Sequence, residues 1–149
     1  MPSTTRSITI HAPIEKIHKV VCDFESYPKF FPEVRAVEVI KHTKKAALVK
    51  FIFHFVKTIT ALLKFDISTK KISWVLVKGD FMKANQGSWH LEEKKDKSTE
   101  VTYSTEIIPS MWVPNSFVEK HMTSIVPVLL RHVKSLCEHG KSTQHKVSN

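Results

Sequence analysis

Apolar positions recur along the chain with two different periods, and the points where the period changes mark out the elements. Arg6–Ile10 alternates briefly and predicts a first strand. Ala12-Pro13 then opens a helix, because proline is tolerated at the first helical position. Ile14, Ile17, Val20, Val21 and Phe24 follow at helical spacing, and Glu15 near the start suits the helix dipole. The helix is predicted to stop near Asp23. One more short helix fits over Glu25–Phe31, since Pro28 and Pro32 break any longer one.

From Val34 the period shortens to two. Strands are predicted over Val34–Lys41, Lys45–Phe55, Lys57–Ile67, Lys71–Lys78, Phe81–Glu93 and Thr99–Ile108. Ile59, Ala61, Leu63, Phe65 and Ile67 share one face of the third of these. Ile72, Trp74 and Leu76 share a face of the next, and Gly87, Trp89 and Leu91 of the one after. Val101, Tyr103, Thr105 and Ile107 face one way in the last, with Glu106 opposite. Short turns join all of them, and parallel strands would need long crossovers, so the strands form an antiparallel meander. The alternation leaves one face wet and one covered.

At Pro114 the period returns to three and four. Val118, Met122, Ile125, Leu129, Val133 and Leu136 form one apolar stripe, and Gly140 ends the helix as a left-handed cap residue. Pro114–His139 makes about 39 Å of helix, enough to cross a sheet. The predicted fold class is therefore α+β: a curved antiparallel sheet of about seven strands wrapped around a long C-terminal helix, with two short helices after the first strand. Residues 1–140 are expected to form one domain and 141–149 a disordered tail. One straight helix cannot fill the concave side of a strongly twisted sheet, so an apolar, ligand-sized cavity is expected between them. Pro127 inside the helix is expected to bend it there.

Composition adds constraints. The 149 residues are 42% hydrophobic and 25% charged, which fits a globular domain with a core. No apolar run reaches the roughly 20 residues of a membrane span. Met1–Arg6 shows neither a signal peptide nor a transit peptide, which predicts a cytoplasmic location. Cys22 and Cys137 fall on apolar helical stripes and read as reduced, buried thiols. The net charge of +9 allows an anionic partner. Lysine carries most of it, however, and specific readout of nucleic acid favours arginine.

Two stretches resemble a known family. Ile10-His11-Ala12-Pro13-Ile14-Glu15-Lys16-Ile17 and Asp23-Phe24-Glu25-Ser26-Tyr27-Pro28-Lys29-Phe30-Phe31-Pro32 resemble the opening of polyketide cyclase/dehydrase-like proteins of the START-like (SRPBCC), helix-grip superfamily. Gly87–Glu92, Glu100–Tyr103 and Val113-Pro114 with the helix after them resemble its later elements. The branch most similar is that of the ribosome-association toxin and coenzyme Q-binding proteins. The resemblance spans roughly Thr5 to Glu138. It implies a helix-grip fold and binding of lipids, quinones or polyketides, with catalysis in a few members. The chain departs from the family in its lysine content and in the aromatic density at Phe51, Phe53 and Phe55.

Candidate chemistry is sparse. His18 and Cys22 lie one helical turn apart, and His132 and Cys137 are similarly close, but neither pair has a third group to complete a zinc site. Three glycines rule out a phosphate loop, and no Gly-x-Ser-x-Gly elbow occurs. No catalytic residue, metal or cofactor is assigned. Tyr103, Thr105, His54 and Gln86 are the polar groups within reach of a cavity. Trp74, Trp89, Tyr103 and Trp112 are expected to line it, closed from the helix by Met122, Ile125 and Leu129. The expected function is binding of a lipid, isoprenoid quinone or polyketide-like molecule. The alternatives are a ribosome or RNA contact through lysines at the turns, and a cyclase or dehydratase activity.

Overall fold

The computed structural model describes residues 3–55, 57–110 and 113–139. The chain runs β1 (Ser3–Ile10), α1 (Ile14–Cys22), a 3-10 helix (Phe24–Lys29), β2 (Val34–His42), β3 (Ala46–Phe55), β4 (Lys57–Ile67), β5 (Lys71–Gly79), β6 (Met82–Glu93), β7 (Thr99–Pro109) and α2 (Asn115–His139). The seven strands form one antiparallel sheet in the order β1-β7-β6-β5-β4-β3-β2. The sheet curves round α2, which is the helix-grip arrangement. Gly140, read as the helix stop, and the expected tail lie outside the described residues.

The alternation in the sequence becomes the two faces of this sheet. Ala61, Leu63, Phe65, Ile72, Trp74, Trp89, Leu91, Val101 and Tyr103 are buried on the concave side. They join Ile17, Val21, Phe24 and Phe30 below, and Val126, Leu129, Leu130, Val133 and Cys137 of α2, in one continuous core.

Three boundaries depart from the sequence expectation for physical reasons. β1 begins at Ser3 instead of Arg6, because hydroxyls carry its outer face. Thr5 pairs with Ser104 at 3.1 Å and Ser7 with Thr102 at 2.8 Å, a ladder that hydrophobic alternation does not register. Pro13 and Pro114 each sit one residue before their helix. Proline lacks the amide, but its carbonyl still accepts the first helical bonds, from Lys16 and Ile17 in α1 and from Phe117 and Val118 in α2. Pro127 lies inside α2, and in the turn before it the Thr123 and Ser124 hydroxyls donate back to the Glu119 and Lys120 carbonyls, contacts that favour a bend.

The hairpin of β5 and β6 is paired only at its base, where Lys71–Trp74 faces Gly87–His90. Beyond that its two arms part. The Asp80 amide donates to the Thr60 carbonyl of β4 at 2.9 Å, and the Thr60 amide donates to the Asp80 carboxylate at 3.1 Å. On the other arm, the Ser110 amide after β7 donates to the Phe81 carbonyl at 3.0 Å. Trp74 spans the divide. Its ring lies over Gly87, where a Cβ atom would meet it at 2.6 Å.

Polar contacts fix α2 along its length. Glu138 accepts from the His11 amide at 2.7 Å and from the Lys134 ammonium at 2.6 Å, and that ammonium also donates to the Thr9 carbonyl at 2.8 Å. The His132 imidazole bonds the Phe30 carbonyl at 3.0 Å. Near the start of the helix His121 pairs with Glu33 from the turn before β2.

Candidate functional site

A cavity of about 210 Å³ lies between the sheet and the first half of α2. Its inner wall comes from alternate residues of β3 to β7, including Phe51, Phe65, Trp74, Trp89 and Tyr103. Val118, Met122, Ile125 and Val126 of α2 form the opposite wall. The wall also includes Lys57 at the start of β4, Phe81 and Met82 at the β5–β6 tip, Pro109 at the end of β7, and Val113. These residues gather at one end of the sheet, which identifies that end as the mouth.

Five of the residues expected to line a cavity do so: Trp74, Trp89, Tyr103, Met122 and Ile125. Leu129 does not. It is fully buried one helical turn beyond Ile125, packed in the continuous core. Trp112 lies outside the described residues. Thr105 lines the cavity as well. His54 is exposed, and Gln86 points outward, donating its amide to Glu106 at 2.8 Å.

The aromatic wall is a connected series. Phe53 stacks on Phe51 with centroids 5.8 Å apart, Phe51 meets Phe65 at 6.0 Å, and Phe65 meets Trp74 at 6.0 Å. Trp74 then meets Tyr103 at 5.5 Å, and Trp89 meets Tyr103 edge-on at 4.6 Å. Offset and edge contacts of this kind hold each ring in place beyond the effect of burial alone.

Polar groups in the cavity are few, and several were not anticipated from sequence. Asn85 is 6% exposed, and its side-chain oxygen accepts from the Trp74 indole at 3.0 Å. Burial pushes the Tyr103 phenol well above its ordinary range. The Thr105 hydroxyl opposes that shift and the Glu33 charge adds to it. Tyr27 is likewise pushed up by burial, and its hydroxyl donates to the Val21 carbonyl at 2.8 Å. The charged groups in the wall are the Glu33–His121 pair and Lys57, whose ammonium lies 4.0 Å from the centre of the Phe81 ring. Phe81 is 39% exposed and adopts a left-handed backbone with φ of 60°.

Among the described residues, no three His, Cys, Asp or Glu side chains converge as metal ligands. His18 lies 3.7 Å from the Cys22 sulfur and bonds the Ser68 carbonyl at 2.8 Å. Among the same residues, no helix is long and apolar enough to cross a membrane. The exposed lysines at the turns, Lys44, Lys45, Lys70, Lys94, Lys95 and Lys97, lie at the end of the sheet away from the mouth.

Residues 10–134 match the family profile described as polyketide cyclase/dehydrase and lipid transport. The chain belongs to this family. The match is to the family at large and does not single out the ribosome-association toxin and coenzyme Q-binding branch. No curated protein matches the chain in sequence. Solved structures share the family's fold at low identity. A START superfamily protein from Mycobacterium smegmatis is 15% identical, covering 91% of this chain and 96% of its own, with a TM-score of 0.79. The Zhui aromatase/cyclase from Streptomyces sp. R1128 is 12% identical over 95% of this chain and 98% of its own, with a TM-score of 0.75. A STAR-related lipid transfer protein from Xanthomonas axonopodis is 15% identical over 89% of this chain and 84% of its own fragment, with a TM-score of 0.74.

Proposed function

We propose that this family member binds a single hydrophobic small molecule of the lipid, isoprenoid quinone or polyketide class in the cavity between the sheet and α2. The observation that carries this reading is the cavity itself, about 210 Å³ walled by rings and aliphatic side chains and reaching a mouth at the hairpin tip. A space of that size is below the roughly 300–1,000 Å³ of ordinary ligand sites, so a compact or partly inserted ligand fits best. Binding draws on apolar surface removed from water, about 25 cal/mol per Å², less the costs of association. A ligand of this kind quenches the fluorescence of Trp74 and Trp89 and raises the melting temperature by linkage. Native mass spectrometry of freshly purified protein, then organic extraction, identifies what the cavity carries. Ile125→Trp fills the space from the helix side and is expected to abolish binding while the fold persists. No thermal or fluorescence response to a broad set of lipids, quinones and polyketides would refute the reading.

A second reading, a cyclase or dehydratase, is favoured by one feature. Glu33 and His121 form a carboxylate–imidazole pair in the cavity wall, an arrangement suited to moving a proton to or from a bound ligand. His121→Gln separates the readings. It leaves ligand affinity little changed if the pair only closes the mouth, and it removes turnover of a polyketide thioester if the pair is catalytic.

A further inference from the structure

The cavity holds one polar side chain whose bonding is incomplete and whose orientation is determined. Asn85 lies on the inner face of β6, 6% exposed, in a wall otherwise made of rings and aliphatic groups. The Trp74 indole nitrogen, 3.0 Å from its side-chain oxygen, can only donate. The amide therefore cannot be flipped: its oxygen must face the indole, and its NH₂ group must face away. Among the described residues the amide nitrogen has as acceptor only the Met82 thioether sulfur at 3.9 Å, a weak one. A buried amide left in this state is costly unless something else accepts its protons.

Resting on the binding reading above, we propose that the Asn85 amide donates a hydrogen bond to a carbonyl oxygen on the ligand, and that the cavity takes a neutral, ring-sized ketone or quinone-like compound with that oxygen inward. The surroundings select for neutrality. The charged wall residues are the Glu33–His121 pair and Lys57, and Lys57 is at the mouth over Phe81. Glu33 is already paired with His121, and among the described residues no cationic side chain of the wall lies beside Asn85 on β6 to hold a carboxylate there. The Tyr103 and Thr105 hydroxyls lie on the adjacent inner face of β7, where Thr105 is diagonal to Asn85 in the strand register. Trp74 and Tyr103 pack against each other with centroids 5.5 Å apart, and their ring surfaces in the cavity wall suit a planar conjugated carbonyl lying against them.

The test compares tetralone with tetralin, a two-ring frame with and without one carbonyl, by calorimetry on the full chain. Asn85→Leu alone frees the indole N–H, which is itself a donor, so the deciding variant is the double Trp74→Phe/Asn85→Leu. The ratio of ketone to hydrocarbon affinity is expected to fall about three- to tenfold in the double variant, the size of one neutral hydrogen bond. The infrared carbonyl band of tetralone bound to the wild-type protein is expected below its position in a hydrocarbon solvent, a reading that needs no variant to fold. Both compounds binding with an unchanged ratio, or a carbonyl band at its hydrocarbon position, would overturn the role of Asn85 and leave the cavity reading standing. Neither compound binding the wild-type protein would remove the cavity reading, and the inference with it.

Discussion

Gly87→Ala is expected to be the most damaging single methyl that can be added to this sheet. A Cβ atom at Gly87 would lie 2.1 Å from the Ser104 carbonyl oxygen and 2.6 and 2.9 Å from two carbons of the Trp74 ring. A carbon and a carbonyl oxygen come to rest at about 3.3 Å, so β6 and β7 must part locally by roughly 1.2 Å. That displacement weakens about two ladder hydrogen bonds, each worth about 1 kcal/mol net. Overpacking against Trp74 adds about 1–3 kcal/mol, because the ring is held on its far sides by Phe65, Tyr103 and Asn85. A loss of about 3–5 kcal/mol follows, which lowers the melting temperature by roughly 10 °C for a chain of this size. Gly79→Ala is the matched control. Its Cβ would meet only the flexible tips of Leu76 and Met82, at 3.0 and 3.2 Å, so its effect is expected within about 1 kcal/mol of zero. Thermal and urea unfolding of the two variants measure the difference. Equal stabilities for the two would refute the assignment of Gly87 as the seat of the Trp74 ring.

Other expectations follow from the same contacts. Burial pushes the Cys22 thiol up to about 11 and the Cys137 thiol up to about 12. Cys137 is buried as expected and should react with a thiol reagent at pH 8 only as fast as the protein unfolds, whereas Cys22, partly buried and not fully as the sequence suggested, is expected to react first. Burial also pulls the Glu138 carboxyl upward, but the His11 amide and the Lys134 ammonium outweigh it and hold the group below the usual carboxylate range. Its stabilising contribution is therefore complete above the unfolded value and lost as the pH falls through the folded one. Glu138→Gln is expected to lower stability by about 1 kcal/mol at neutral pH, with the gap to wild type closing in acid; a gap independent of pH would sink the account. If the lysines of the turns contact ribosomal RNA, that binding must weaken steeply with salt by counterion release, which sedimentation with ribosomal subunits at low and high salt tests. Absence from the pellet at every salt concentration leaves those lysines a solvated surface.

The concave face was legible because the large apolar side chains of β4 to β7 fall at every second position, which carried Trp74, Trp89 and Tyr103 to the cavity wall despite the outward Val75 and Val77 of β5. The helix stripe was legible in the same way, but periodicity says which side of a helix is inward and not where along its axis the sheet draws back. Leu129 therefore groups with Met122 and Ile125 in the stripe, although it is packed in the core and takes no part in the cavity wall. Asn85 carried a usable signal. It is two residues before Gly87 and so on the same inward face of β6, where a buried polar residue stands out. Glu33 and His121 carried none, since a turn residue and a helix residue far apart in sequence meet only through the tertiary fold.

The attachments of α2 are unequal, and this bears on how a ligand reaches the cavity. Leu129, Leu130, Val133 and Cys137 of its second half are buried in the core, and Lys134 and Glu138 tie that half to Thr9 and His11. Its first half turns Val118, Met122 and Ile125 toward the cavity, where they face space in place of packed atoms, and is held to the turn before β2 by the Glu33–His121 pair. Side chains beside a void lose contacts on that side, so this half opens at a smaller cost in free energy. Backbone amides of residues 119–124 are therefore expected to exchange with solvent faster than those of 129–137, by about tenfold for each 1.4 kcal/mol of difference in opening. A bound ligand replaces the missing contacts and is expected to slow the first group selectively. His121→Ala is expected to speed that group while leaving residues 129–137 unchanged. Uniform exchange along α2, or a ligand effect confined to its second half, would show that the helix opens as one unit and that the mouth is not the way in.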